Sequence, residues 1–295
     1  MQSTWYEFRL SVNPELKEIL SDKLFELGAE AVNENVDSPS ELQAYFPAEQ
    51  KLMAEEKIAE FWSVLKTNNP NLIPLLIQVL EVPDENWSES YKKFYYAQHL
   101  TDLFFLKPKW DNRTVIPLGS IPIIMDPGQA FGTGLHPSTR LCLRTLQSQI
   151  LDNTRREQLK CLDVGTGTGI LALAAYHLGV QQVVAVDNDP IAVEVAKENF
   201  ELNNIGKIEV STTDIKQLTG PFDFVISNIL LETHRELSND YSRLVPEGGL
   251  LLLSGLLGYQ IREVFQLMGP KGFINIERRN YQEWASLLFI KRRSK

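Results

Sequence analysis

Three glycines at alternate positions, Gly165, Gly167 and Gly169, follow an apolar lead-in that ends in Asp163-Val164. Glycine at that spacing serves a backbone that must turn sharply and lie against a ligand. The next apolar run, Val183-Val184-Ala185-Val186, closes on Asp187-Asn188-Asp189-Pro190. A carboxylate at the end of that second strand can accept hydrogen bonds from both hydroxyls of a ribose, which assigns Asp187 the ribose. A dinucleotide site would need another glycine three places after Gly167, where the helix packs on the strand and its N-terminus meets a pyrophosphate. Ile170 holds that place. Gly165 and Gly167 are therefore read as a loop over a ribose and an amino acid joined through sulfur, and the expected cofactor is S-adenosylmethionine.

A second segment without periodicity, residues 126–139, holds three glycines and two prolines just upstream. Loops so placed usually cover a ligand. Thr139 opens the helical run Leu141, Cys142, Leu143, Leu146, so its hydroxyl either caps that helix or touches the cofactor. His136 has two readings, a structural hydrogen bonder and a chemical group. Two further polar residues end apolar runs: Asp214 follows Ile208–Thr212, where a carboxylate can take the adenine amino group or stand as a solvated loop acid, and Asn228 follows Phe222–Ser227. In open α/β sheets, ligands bind at the carboxyl ends of strands, where Gly165, Asp187, Asp214 and Asn228 all fall.

The elements that would position these residues form a doubly wound pattern. The residues before the glycine motif, the motif itself, the run Ile170 to Gly179 and Val183–Val186 follow one another as strand, loop, helix and strand, Asp189 and Pro190 start a helix running to about Asn203, and Leu250–Leu253, Ile274–Arg278 and Ser286–Ile290 complete a seven-stranded sheet. Ahead of it, Trp5–Val12, Pro14–Leu27, Ala31–Val36, Leu42–Phe46, Glu55–Lys66 and Ile73–Glu81 read β-α-β-β-α-β, with Gly28 stopping the first helix. The expected fold class is α/β, a Rossmann-like seven-stranded domain at 102–295 preceded by a smaller α+β ferredoxin-like domain at 1–82. Residues 83–101 read as a linker and Asp102–Met125 as a small antiparallel sheet.

Of the chain's 295 residues, 43% are hydrophobic and 23% charged, as in ordinary globular proteins. Residues 1–100 carry 8 Lys+Arg against 17 Asp+Glu and so hold the whole net charge of −9. A surface of that sign repels phosphate backbones and suits a basic protein partner, with solubility alone as the other reading. No nucleic-acid or membrane binding is expected. The start lacks a basic and apolar leader, so a cytoplasmic protein is expected; a monomer is the expected form. Cys142 and Cys161 form no CxxC pair and sit in no histidine cluster, which points to buried thiols and no metal.

Asp-Pro-Gly-x-Ala-Phe-Gly-Thr-Gly-x-His-Pro at 126–137, Asp-x-Gly-x-Gly-x-Gly-Ile-Leu at 163–171, Asp-x-Asp-Pro at 187–190, Asn-Ile-Leu at 228–230 and Glu283-Trp284 together resemble the bacterial ribosomal protein L-eleven methyltransferases, over the whole length. The resemblance implies a small N-terminal domain that recognises the ribosomal protein and a catalytic domain that methylates its lysine ε-amines and N-terminal α-amine. It also implies that Thr139, Gly165, Asp187 and Asn228 hold the cofactor. Leu135 and Ser138, usually threonines, and Thr166 and Thr168, where Cys and Ser are common, depart from the pattern. Asn228 is the candidate catalytic residue, its carbonyl accepting from the reacting amine; a cofactor contact alone is the other reading. The alternative function is methylation of another protein or of a small-molecule amine.

Overall fold

The computed structural model describes residues 5–12, 16–29, 31–34, 41–68, 72, 75–82, 95–126, 132–151 and 153–293. Its contacts divide the chain into two compact units, Met1–Phe94 and Tyr95–Lys295. Among the described residues, no helix is long and apolar enough to cross a membrane and no cluster of His, Cys, Asp and Glu could hold a metal.

The first unit contains β1 (Trp5–Ser11), α1 (Lys17–Glu26), β2 (Ala31–Glu34), β3 (Glu41–Pro47), α2 (Lys51–Asn68) and β4 (Leu76–Val82). The four strands form one antiparallel sheet in the order β2-β3-β1-β4. That is the split β-α-β-β-α-β arrangement the periodicity predicts. Alternation along β3 sends Leu42, Ala44 and Phe46 into the core, where Phe46 meets Phe8 edge to face at 4.9 Å. Leu20 and Leu24 of α1 and Ile58 and Trp62 of α2 cover the same face. Burying each such large apolar side chain contributes about 1.5–3 kcal/mol. Gly28 takes φ +90° just past α1, a conformation that costs a β-carbon-bearing residue most.

In the second unit, β5 (Gln98–His99), β6 (Phe104–Pro108) and β7 (Ile121–Met125) form a small sheet. The purely antiparallel sheet expected from alternation is not what forms. β5 pairs antiparallel with β6, but β6 runs parallel to β7, with Phe104 opposite Ile121 and Pro108 opposite Met125. Alternation records which faces are buried and not strand direction, and residues 109–120 supply the crossover a parallel pair needs. Residues 95–101, read from sequence as linker, pack within this unit: Tyr95 and Leu100 are buried, and the Tyr95 hydroxyl donates to Thr133 O at 2.8 Å. The remainder of that linker, 83–94 with Trp87, lies outside the described residues.

The main sheet follows: α3 (Pro137–Ile150), β8 (Lys160–Val164), α4 (Ile170–His177), β9 (Gln182–Val186), α5 (Pro190–Leu202), β10 (Glu209–Ser211), β11 (Phe224–Asn228), α6 (Leu231–Leu244), β12 (Leu250–Leu257), α7 (Ile261–Met268), β13 (Phe273–Tyr281) and β14 (Trp284–Lys291). Seven strands lie in the order β10-β9-β8-β11-β12-β14-β13, the first five parallel and β14 antiparallel to both neighbours. Helices on both faces explain why the central strands read as unbroken apolar runs, such as the fully buried Leu251, Leu252 and Leu253. The chain winds outward from β8 to β10, then returns to β11 on the other side. The strand order therefore reverses between β8 and β11, where an open α/β sheet leaves a crevice for a ligand. Cys142 and Cys161 are buried free thiols, as expected; burial pushes the Cys142 thiol up to about 12.

Candidate functional site

Gly165, Gly167 and Gly169 all take positive φ, +72°, +53° and +82°, between the end of β8 and the start of α4. The Gly165 and Thr166 amides both donate to Val186 O, at 2.9 and 3.1 Å, and stitch the loop to the end of β9. A β-carbon on Gly169 would stand 2.5 Å from the Phe200 ring of α5. That third glycine thus serves close helix packing, while the first two form the turn itself. Asp187 is placed where the sequence puts it: one carboxylate oxygen accepts from Gly167 N at 2.8 Å and the other from Asp189 N at 3.0 Å. Asp189 caps α5 by accepting from Ile191 N, with Pro190 next.

At the other side of the crevice, Asn228 ends β11 and its amide nitrogen donates to Thr139 Oγ1 at 3.3 Å, across 89 positions of sequence. Thr139 is buried in the first turn of α3 and does not cap that helix. His136 does, its Nδ1 accepting from Ser138 N, with Pro137 at the first helical position. The His136 ring also meets Trp284 edge to face at 4.5 Å. Burial holds its pKa below the ordinary imidazole value, against the opposing charge of Glu283. Of the two readings of His136, the structural one therefore has its geometry in place.

Asp214 stands apart from these contacts. It is exposed beyond β10, and its carboxylate accepts from Lys216 N at 2.9 Å at the head of a short 3-10 turn. The local spacing of an acid two residues before its own cap amide gives this turn a reason independent of any ligand.

Two features escaped the sequence reading. Asp163 is 1% exposed, and one of its oxygens accepts from Thr166 Oγ1 at 2.7 Å and from Ala172 N at 3.2 Å. The only signal for it was the acid leading the glycine motif. Thr168 Oγ1 donates to Gly132 O at 2.6 Å, and Asn199 of α5 bridges Thr168 O and Asp126 N, so residues 126 and 132 are both tied to the glycine loop. The intervening residues of the 126–139 loop, 127–131, lie outside the described residues.

Burial pushes the Asp163 carboxyl up to about 7, against the pull of its two donors. An acid whose folded pKa lies above its unfolded value of 3.8 costs stability as pH rises between the two values, because the folded state gives up the proton last. Each unit of that shift is about 1.4 kcal/mol. Replacing Asp163→Asn is expected to move the melting temperature increasingly in the variant's favour as pH rises from 4 to 8, relative to the parent. A difference that does not change with pH would mean the carboxyl titrates at its ordinary value.

The pocket so built has a particular demand. Asp163 Oδ1 and Asn228 Oδ1 are buried and meet no hydrogen-bond partner among the described residues, and the Asn228 amide oxygen can only accept. They lie on the neighbouring strands β8 and β11. Buried polar atoms without partners are rare and expensive, so a ligand presenting N–H donors fits here. Such donors are the ammonium of an amino-acid cofactor and an acceptor amine. A seven-stranded sheet of this order, with a glycine turn after its first strand, an acid after its second and the crevice between, is the arrangement expected of an S-adenosylmethionine-dependent methyltransferase.

The comparisons narrow the class. The family model described as "Ribosomal protein L11 methyltransferase (PrmA)" matches residues 4–292. Proteins named ribosomal protein L11 methyltransferase are similar along nearly the whole length. That of Pelobacter propionicus is 35% identical over 98% of this chain and 98% of its own. That of Bacillus subtilis is 32% identical over 96% and 98%. A crystal structure of the ribosomal protein L11 methylase from Lactobacillus delbrueckii subsp. bulgaricus superposes with a TM-score of 0.62 at 28% identity, covering 68% of this chain and all of that one. The chain belongs to the ribosomal protein L11 methyltransferase family.

Proposed function

We propose that the chain transfers methyl groups from S-adenosylmethionine to amino groups of ribosomal protein L11, the lysine ε-amines and the N-terminal α-amine. The carrying observation is the unpartnered, buried Asn228 Oδ1 beside Thr139 at the crevice, an acceptor in search of an N–H. When bound, the cofactor supplies a methyl on a sulfonium, already a good leaving arrangement for attack by a nitrogen lone pair. The protein's part is then to align that lone pair, exclude water and keep the amine neutral. Holding a lysine of ordinary pKa neutral at pH 7 costs about 4.6 kcal/mol, and an α-amine about 1 kcal/mol. The uncharged Asn228 acceptor favours this, since desolvation lowers an amine's pKa and an amide oxygen, unlike a carboxylate, does not raise it again.

Thr139, Gly165, Gly167, Asp187 and Asn228 are assigned to the cofactor, with Asp187 on the ribose. Asp214, engaged in its own turn by Lys216 N, is assigned to the adenine amino group. In the first unit, the acidic balance supports docking of a basic protein and tells against nucleic acid. Its α2 also exposes Leu52, Met53 and Val64 beside Glu56 and Glu60, a mixed face of the kind that protein partners cover. A cytoplasmic monomer is the form we assign.

Two measurements test this reading. Purified protein, S-adenosylmethionine and recombinant ribosomal protein L11 are expected to give methylated lysines and a methylated N-terminus by mass spectrometry; methylation of free lysine but not of the protein would favour a small-molecule amine instead. In calorimetry, Asp187→Ala is expected to weaken the cofactor by about 1–3 kcal/mol, the worth of hydrogen bonds to a charged group. The ribose assignment is lost if affinity is unchanged, because the same substitution also frees Gly167 N.

A further inference from the structure

A chain of buried polar groups runs beneath the strand ends that carry the site. His234, near the start of α6, is fully buried, as are Tyr241, Ser227 and Ser254. His234 Nε2 lies 2.9 Å from Ser254 O, and Nδ1 lies 3.1 Å from the Tyr241 hydroxyl. That hydroxyl is 3.0 Å from Ser227 Oγ, which donates to Val164 O at 3.2 Å. Ser254 Oγ lies 3.1 Å from Ala285 O and 3.3 Å from Ser138 O. A carbonyl only accepts, so Nε2 carries the ring proton, and the single Tyr241 hydroxyl proton serves Nδ1 or Ser227 Oγ but not both at once. Burial keeps the ring neutral by pulling its pKa down to about 4.

The places where this network ends are not arbitrary. Val164 immediately precedes Gly165, Ser227 precedes Asn228, Ser138 precedes Thr139 and Ala285 follows Trp284. Three of these segments, the ends of β8 and β11 and the first turn of α3, are each gripped one residue away from a residue of the site, and the start of β14 is gripped beside the Trp284 ring that meets His136. Among the described residues the Asn228 side chain is held by one 3.3 Å bond, to Thr139, so its aim depends on the backbone that bears it. The following residue is confined too: a β-carbon on Gly255, at φ +78°, would stand 2.3 Å from Ile229 O, so β12 and the segment after Asn228 are in direct backbone contact. An apolar core would serve the fold at least as well, since fully buried polar groups add stability only when every partner is met. What hydrogen bonds add over apolar packing is a single relative placement of the strands they join.

We infer that His234, Tyr241 and Ser227 are positioning residues for methyl transfer, acting through Asn228 by fixing the end of β11 against β8, β12 and α3. This rests on the reading of Asn228 as the group that orients the amine. Tyr241→Phe removes one buried hydroxyl from the intact protein and leaves the ring in place. It is expected to leave cofactor affinity and KM for ribosomal protein L11 within about twofold while kcat falls about tenfold, the scale of a slight misplacement of a reacting group. In an Asn228→Ala background the same substitution is expected to cost nothing further, because residues that act through one another are not additive. Unchanged kcat in Tyr241→Phe overturns the inference, and so does an equal loss with and without Asn228. Ser227→Ala, read by the same three quantities, takes the place of Tyr241→Phe if that variant does not fold. The single variant Asn228→Ala separates the two ideas: full turnover there removes the amine reading, whereas a turnover loss that adds to that of Tyr241→Phe removes only the positioning role.

Discussion

Deleting residues 1–94 is expected to abolish methylation of ribosomal protein L11 and to leave cofactor binding intact. The second unit keeps its own core, with Leu162, Val225, Leu251 and Leu287 all fully buried, and keeps every residue assigned to the cofactor. What the deletion removes is the whole negative balance of the chain, 17 acids against 8 bases in residues 1–100. A field of that sign raises the local concentration of a basic partner and speeds encounter by roughly 10–1,000-fold, and docking adds retention to speed. A loss of about 100-fold or more in kcat/KM is therefore expected, measured with labelled cofactor on the recombinant ribosomal protein. Rising ionic strength is expected to slow the intact enzyme by weakening the same attraction. Full activity in the fragment, or no salt dependence in the intact chain, would place recognition in the second unit.

The second large effect is expected at Asn228. If its carbonyl oxygen orients the amine, Asn228→Ala removes a contact made most strongly as the methyl transfers, so kcat at saturating cofactor falls about 100-fold while the cofactor's dissociation constant moves far less. The unpartnered state of that oxygen is the reason to expect so uneven a division: it satisfies no other residue among those described, and its removal leaves no donor stranded. The amide nitrogen's bond to Thr139 is lost as well, which sets the smaller effect on cofactor. The rate is also expected to rise between pH 7 and 9, since lysine of ordinary pKa near 10.4 is almost wholly protonated at neutrality and only the neutral amine attacks. A variant altered only in cofactor affinity would reduce Asn228 to a binding residue. A flat pH profile would make some step other than attack by the neutral amine rate-limiting.

How much of this was legible before any coordinates depends on how far apart the partners lie. Gly28 ending α1, Asp189 and Pro190 starting α5, and the positive φ at Gly165 and Gly167 are each written within a few residues, because backbone sterics and capping act over one turn. The same holds for the order of elements, since a period of 2 or 3.6 needs only a short window to declare itself. Of the two roles open to Thr139, capping goes instead to His136, an unusual cap by residue type, with Pro137 following at the first helical position.

The amino-acid sequence by itself determined the two-unit order, the seven-stranded plan, the glycine turn with its acid at Asp187, and the charge that separates the two units. Those properties follow from local conformational preference and from composition, neither of which needs a partner from elsewhere in the chain. Only the tertiary structure decided that β6 runs parallel to β7, that Asn228 meets Thr139 across 89 positions, that the Asp163 carboxyl is buried, and that His234, Tyr241, Ser227 and Ser254 join into one network. Strand direction, burial and side-chain pairing depend on register between segments far apart in sequence, and that register is fixed by the simultaneous packing of the sheet and its helices.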